Sequence, residues 1–309
     1  MIAGPTTRFA PAPTGYLHLG HLVNAIHVWG LARARQGRVI LRVEDHDRGR
    51  SRPEYEAALL EDLDWLGLTP DFGLPAEFRG GPTQFRQSDS GARYEAAAES
   101  LRAAGHLLYG CDCSRRDLAR EGGDEPDRET RYTGRCRSRG LQPGPGVGLR
   151  LAIEPGRERF MDLLLGPQQQ DPSVQCGDLL LRDRLGNWTY QFAVVVDDMA
   201  QGVNLVVRGA DLLESTGRQL LLARLLGRRE PPLFAHHGLI RHPGGGKLSK
   251  ANRDTALREL RAAGATPEEL LGRAAAMAGL IPQAAPLSVD QLPSLIVAEL
   301  PFEARPILG

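Results

Sequence analysis

Apolar and polar positions along this chain switch between two periods, and the switches mark out its elements. Thr6 to Ala10 reads as a short strand, and Pro11 to Gly15 forms a turn that cannot continue it. Leu22, Ala25, Ile26 and Trp29 then share one helical face, in a helix that ends near Gly37. Arg38 to Val43 follows as a buried strand. Strand, helix and strand within about forty residues make a βαβ unit with a right-handed crossover. Tyr55, Leu59, Leu63 and Leu66 carry a second helix with Pro53 in its first turn. Tyr94, Ala98 and Leu101 carry a third, which Gly105 can end. Asp71 to Ser90, rich in Gly, Pro and Phe, reads as a connecting loop.

Beyond a Pro/Gly hinge at Pro143 to Gly148, Leu149 to Ile153 and Phe160 to Leu165 read as strands. Gly177 to Arg182 and Trp188 to Val196 read as the arms of a hairpin around Leu185-Gly-Asn187. Val203 to Arg208 is another buried strand, and Thr216-Gly-Arg-Gln219 fits a capping box opening a Leu-rich helix to Gly227. Thr255 to Gly279 reads as helical. The fold class is therefore α/β, with strand–helix alternation interrupted and then resumed. Residues 1–108 and 176–228 read as two halves of one domain around an insertion at 109–175, with 229–309 following.

The 309 residues are 41% hydrophobic and 25% charged, an ordinary soluble composition. Lys+Arg and Asp+Glu balance at 38 each, so a nucleic-acid partner needs a local basic patch. No run is long and apolar enough to span a membrane, and Met1 to Thr7 is too short and polar for a signal peptide. The expectation is a cytoplasmic monomer with no membrane partner. Four cysteines are too few for a disulfide scaffold.

Three stretches carry candidate chemistry. The strand–turn–helix at Arg8-Phe9-Ala10-Pro11-Ala12 through His18-Leu-Gly20-His21 is suited to a phosphate chain, because a helix N-terminus offers unpaired N–H groups and a positive dipole end. Either histidine alone reads first as a helix cap. Glu44-Asp-His-Asp-Arg48 lies beyond a strand end, where open parallel sheets bind ligands, so Glu44 and Arg8 meet in the expected crevice. Gly244-Gly-Gly-Lys247-Leu248-Ser249-Lys250 is a second phosphate-type loop, though it lacks the Walker A spacing. Separately, Cys111-Asp-Cys113 and Cys136 have knuckle-like spacing for zinc; three clustered free thiols are the alternative. Cys176 reads as core.

His18-Leu-Gly-His21 and Lys247-Leu-Ser-Lys250 together resemble the two signature motifs of the class I aminoacyl-tRNA synthetases, in the right order. Arg8 to Gly15, Glu44-Asp45, Tyr190 to Asp198 and Arg208-Gly-Ala-Asp211 are similar to the glutamate branch, and the resemblance runs from Arg8 to about Leu260. It implies a Rossmann-type catalytic domain with a zinc-containing insertion and a short helical C-terminal region. Only about sixty residues follow Lys250, which implies no anticodon-binding domain and points to truncated members of that branch. These activate L-glutamate with ATP and Mg²⁺ and transfer it to queuosine at the wobble position of tRNA(Asp). A minimal enzyme charging a tRNA 3′ end and a non-catalytic zinc- or tRNA-binding paralogue are the alternatives.

The resemblance also implies roles. Arg8 or Arg208 clamps the substrate side-chain carboxylate, Glu44 holds its ammonium and Tyr190 lines the pocket, with Phe9, Ala10, Pro11 and Ala12 completing the glutamate end. His18, Gly20 and His21 with Lys247, Leu248, Ser249 and Lys250 form the ATP end, His18, His21 and Lys250 acting on the phosphates. Cys111, Cys113, Tyr132 and Cys136 are the implied zinc ligands. Two departures stand out: Ala12 replaces the family's usual serine, and a long charged loop separates Cys113 from Tyr132.

Overall fold

The computed structural model describes residues 4–114, 116–118, 131–238 and 255–300. Among them the strands are β1 (Thr6–Phe9), β2 (Arg38–Leu41), β3 (Leu108–Cys111), β4 (Gly148–Leu151), β5 (Glu158–Asp162), β6 (Gly166–Gln170), β7 (Leu179–Arg182), β8 (Leu205–Gly209) and β9 (Leu233–His237). The main helices are α1 (Leu19–Arg33), α2 (Pro53–Leu66), α3 (Gly91–Ala103), α4 (Tyr190–Ala200), α5 (Thr216–Leu225), α6 (Leu257–Ala262), α7 (Pro267–Met277) and α8 (Leu292–Glu299).

β1 and β2 pair in parallel, with Arg8 opposite Ile40, and α1 makes the crossover between them. Nearly every residue of α1 from Leu22 to Ala32 is buried, so this helix has no solvent face to give it a period. Main-chain pairing continues past β2. The Arg42 N–H donates to the Phe9 carbonyl at 3.0 Å and the Glu44 N–H to that of Pro11 at 3.2 Å. Glu44 is thereby set beside the turn that leaves β1.

A second sheet runs β6-β5-β9-β8. β8 and β9 are parallel with Arg208 opposite His236, β9 and β5 are parallel at Asp162, and β6 is an antiparallel edge. β1 meets β8 through Asn204, whose N–H donates to the Thr6 carbonyl at 3.0 Å while its Oδ1 accepts from the Thr6 N–H at 2.7 Å. β3, β4 and β7 form a separate antiparallel sheet. Residues 109–175 are thus divided between two sheets, β4 pairing with β7 and β5 with β9. One core joins α1, α7 and α8 to β1, β2, β8 and β9, and another gathers α3, α4, α5 and β7. No described helix is long and apolar enough to cross a membrane.

Three sequence readings are corrected. Trp188 to Val196 is not a hairpin arm: Tyr190–Ala200 is helical, and only Trp188 bridges back to Arg182. Phe192 to Asp198 are all buried, and a continuous apolar run carries no period to distinguish helix from strand. Thr216 and Gln219 do not form a capping box, because Ser215 before them is already helical and both side chains accept from Arg208. Thr255 to Gly279 holds two helices, α6 and α7, the second opened by a Thr266–Glu269 capping box.

Candidate active site and thiol cluster

A cavity of about 580 Å³ opens at the C-terminal ends of β1, β2, β8 and β9. It brings together Arg8, Phe9, Ala10, Pro11, Ala12, His18, Gly20, His21, Glu44, Tyr190 and Arg208, the sequence-expected glutamate and ATP residues that are described. Lys247, Leu248, Ser249 and Lys250 lie outside the described residues. Asn24, Asp211 and His237, to which the sequence assigned no role, also line the cavity, as does His46 of the Glu44–Arg48 cluster.

His18 and His21 owe their placement to the first turn of α1. His18 is the N-cap, its Nδ1 accepting from the Gly20 N–H at 3.1 Å, while the His18 N–H donates to His21 Nδ1 at 3.1 Å. An Nδ1 that accepts leaves the proton of the neutral ring on Nε2, so both rings are Nε2–H donors. A Cβ on Gly20 would fall 2.9 Å from His18 Cε1, so only glycine lets the ring fold over the helix start.

The amino-acid end rests on a buried chain of alternating charge. Arg8 Nε donates to Asp198 at 3.1 Å, and Arg42 Nη1 donates to the same carboxylate at 2.7 Å. Arg42 Nη2 and Nε then donate to Glu44 Oε1 at 2.9 and 3.3 Å. Burial opposes ionisation here, yet Arg8 and Arg42 hold the Asp198 carboxyl below its ordinary value, and Asp198 and Glu44 raise Arg42. Arg42 and Asp198 escaped notice as site residues. Their signal was a charge inside an apolar run, Val39-Ile-Leu-Arg-Val43 and Val194-Val-Val-Asp-Asp198.

Arg208 is different. Its Nε donates to His236 Nε2 at 3.0 Å, Nη1 to Gln219 Oε1 at 2.7 Å and Nη2 to Thr216 Oγ1 at 2.9 Å. All three partners are uncharged or kept so: burial lowers the His236 imidazole, although Asp162 pulls the other way. Burial likewise pulls Arg208 below the ordinary guanidinium value. Arg8 has its carboxylate in Asp198, whereas among the described residues no carboxylate touches Arg208. Burial first, then the Glu44 charge, pushes Tyr190 up, so it stays a phenol.

At the end of β3, the donor atoms of Cys111, Cys113 and Cys136 lie within 4.8 Å of one another. All four cysteines are free thiols. Cys113 Sγ is 3.5 Å from Cys136 Sγ, and the Tyr132 hydroxyl is 3.5 Å from Cys111 Sγ. Thiolates around one tetrahedral zinc stand about 3.8 Å apart, and a phenolate stands about 3.5 Å from a thiolate, so the donor set fits a soft-ligand ion. Burial and the two neighbouring thiols push Cys113 up to about 12, a repulsion that a bound dication relieves. Tyr132 is pinned by its ring under the Arg150 guanidinium at 3.7 Å and by its N–H donating to the Cys176 carbonyl at 2.9 Å. Gly177, at φ +66°, passes so close to the Tyr132 carbonyl that any Cβ would collide with it.

The profile of the class I tRNA synthetases (E and Q), catalytic domain, matches residues 6–285. The chain belongs to this class I synthetase family. It is a ligase of the aminoacyl-tRNA synthetase type, and the family implies ATP and Mg²⁺. The chain is 40% identical to a Symbiobacterium thermophilum protein named glutamyl-Q tRNA(Asp) synthetase, covering 96% of this chain and 94% of that protein. A Geobacter sulfurreducens protein of the same name is 45% identical, over 81% and 76% of the two. A glutamate–tRNA ligase of Frankia alni is 38% identical, and the match spans only 53% of it. The crystal structure of a glutamate tRNA ligase from Elizabethkingia meningosepticum, in complex with its amino acid, superposes with TM-score 0.74 at 26% identity, covering 95% of this chain and 64% of that one. The fold is thus the parallel-sheet catalytic domain of the class I synthetases.

Proposed function

We propose that this synthetase activates L-glutamate with ATP, needing no tRNA for that step, and transfers the glutamyl group to queuosine at the wobble position of tRNA(Asp). Arg208 carries the choice of amino acid. A buried guanidinium in a cavity, whose partners among the described residues are all neutral, lacks an anion that a substrate γ-carboxylate supplies and a glutamine amide does not. Glu44 takes the substrate ammonium, and the Tyr190 phenol donates to the bound amino acid. Ala12 contributes main chain where a serine would add a hydroxyl.

An oxygen of the substrate α-carboxylate attacks the α-phosphorus of ATP in line, and pyrophosphate leaves as glutamyl-adenylate forms. The Nε2–H groups of His18 and His21 hold the phosphate, while Lys247 helps bind ATP, Lys250 neutralises the departing pyrophosphate and Mg²⁺ travels with ATP. Catalysis of this kind is mostly positioning and charge stabilisation. The acceptor reading is supported by relatives named glutamyl-Q tRNA(Asp) synthetase, which this chain matches along most of their length. One Zn²⁺, held by Cys111, Cys113, Cys136 and Tyr132, would organise the end of β3; it supplies structural cross-linking of the segments 111–113 and 132–136.

The test is ATP–pyrophosphate exchange without tRNA, followed by transfer of labelled glutamate to tRNA(Asp) with and without queuosine, beside tRNA(Glu). We expect glutamate-dependent exchange and labelling of queuosine-containing tRNA(Asp) alone. Exchange that requires tRNA, with charging of tRNA(Glu), would replace this reading with a minimal glutamyl-tRNA synthetase.

A further inference from the structure

We propose that Asp162 and His236 are positioning residues that fix hydrogen-bond polarity behind Arg208 and thereby set the preference for an acidic over an amide side chain. The proposal rests on the reading that Arg208 receives the substrate γ-carboxylate. The three residues sit on neighbouring strands, Asp162 at the end of β5, His236 on β9 and Arg208 on β8.

The order starts at Asp162, whose carboxylate faces donors on every side. Oδ1 accepts from the main-chain N–H groups of Leu164 and Leu165 at 2.9 and 3.0 Å. Oδ2 accepts from the His236 N–H at 3.2 Å and lies 2.5 Å from His236 Nδ1. Nδ1 must therefore carry the imidazole proton, and Nε2 is left as a lone pair aimed at Arg208 Nε. The Thr216 hydroxyl lies 3.3 Å from the same Nε2 and accepts from Arg208 Nη2. Gln219 is oriented in its turn, its Nε2 donating to Gln191 Oε1 at 2.8 Å so that its oxygen faces Arg208. A guanidinium has five N–H groups; these partners engage three, and the Tyr190 phenol, which also lines the cavity, bonds the guanidinium too, so a carboxylate entering the cavity would share the remaining donors with Tyr190. Asp162, the negative charge of this relay, is held a whole imidazole away, so the relay anchors Arg208 without neutralising it at contact.

Replacing Asp162 with asparagine inverts this order. An asparagine amide must turn its NH₂ toward one set of donors. Facing His236 opposes one fixed main-chain N–H and one movable ring proton, whereas facing Leu164 and Leu165 opposes two fixed N–H groups. The NH₂ therefore turns to His236, the imidazole moves its proton to Nε2, and that N–H then points at the N–H of Arg208.

The experiment compares wild type, Asp162→Asn, His236→Leu and His236→Gln by exchange with glutamate and with glutamine. It also reads the His236 tautomer by ¹⁵N NMR, assigned against His236→Gln. We expect Asp162→Asn and His236→Leu to raise the glutamate KM about 10- to 100-fold, the range for losing a hydrogen bond to a charged group. Discrimination against glutamine should fall with it, and the ATP KM should hold. His236→Gln, which can offer an oxygen to Arg208, should recover most of what His236→Leu loses. The wild-type imidazole should carry its proton on Nδ1, and Asp162→Asn should move it to Nε2. Unchanged glutamate KM and discrimination in both Asp162→Asn and His236→Leu would overturn the proposal, as would a wild-type His236 protonated on Nε2. Wild-type exchange indifferent to glutamate would instead overturn the reading of function, while the tautomer in the same samples would still decide the polarity.

Discussion

Asp198→Asn is the sharpest perturbation of the buried charge chain, because it removes the anion shared by two arginines. The Arg42 side chain is fully buried and that of Asp198 is 10% exposed, so solvent cannot take over the screening. An unpaired carboxylate could escape by taking a proton, but a guanidinium cannot shed its charge. Breaking a buried pair from one side costs about 3–5 kcal/mol. With an unfolding entropy of roughly 2.1 cal/mol/K per residue over 309 residues, that is a Tm lower by about 5–8 °C. Arg8 and Arg42 hold the Asp198 carboxyl below its ordinary value. Its contribution is therefore complete above the unfolded carboxyl pKa and is lost only as pH falls through the depressed one, so the deficit should be the same at pH 6 and pH 8. The assay is chemical denaturation and calorimetry beside Asp64→Asn, which deletes the same charge from a half-exposed surface pair with Arg79 and should cost less than about 1 kcal/mol. An Asp198→Asn protein within about 1 kcal/mol of wild type would refute the idea that this chain holds the site together.

Three further outcomes follow from the geometry. Gly20→Ala displaces the His18 ring, costing about 1 kcal/mol of capping, but adds helix propensity of similar size; Tm should barely move while exchange falls at least about 10-fold, and wild-type exchange would remove His18 from the phosphate site. Burial, reinforced by the charge of stacked His237, lowers His27 to about 3. The unfolded chain then binds the extra proton, so stability should drop by about 2 kcal/mol between pH 8 and pH 5 from this group, and His27→Gln should flatten the slope measured by urea unfolding. Freshly purified protein should hold about one zinc per chain by elemental analysis, lost in Cys111→Ser or Cys136→Ser; metal-free wild type would sink the assignment.

How much of this could be read from the chain depended on whether a signal was local. The β1–turn–α1 unit was legible because a turn marked by proline and glycine and the two histidines after it lie close together in sequence, although α1 itself is buried nearly all round, and the cavity did gather its residues with Glu44, Tyr190 and Arg208. The helix at Tyr190–Ala200 was not legible, since every residue from Phe192 to Asp198 is buried and that apolar run has no polar face to give a helix its period. Thr216 and Gln219 misled for a related reason: residues with the chemistry of a cap were turned inward to hold Arg208. Arg42, Asp162 and His236 show as polar residues in apolar runs, which says that a partner exists without saying which. Those partners lie 156, 74 and 28 residues away for Asp198, His236 and Arg208 respectively; parallel strand order brings Asp162, His236 and Arg208 together, and the packing of α4 brings Asp198 to Arg42.

With Arg208 receiving the substrate carboxylate as proposed, it also ties ligand binding to the resilience of the fold. A protein selected for stability alone would place a carboxylate on that guanidinium or replace the whole polar cradle with packed hydrocarbon. Holding the cation unneutralised leaves the ligand-free protein less stable than its sequence permits, and each glutamate bound returns part of that deficit. The fraction of molecules surviving heat or protease should therefore track the glutamate concentration around them, and respond far less to glutamine.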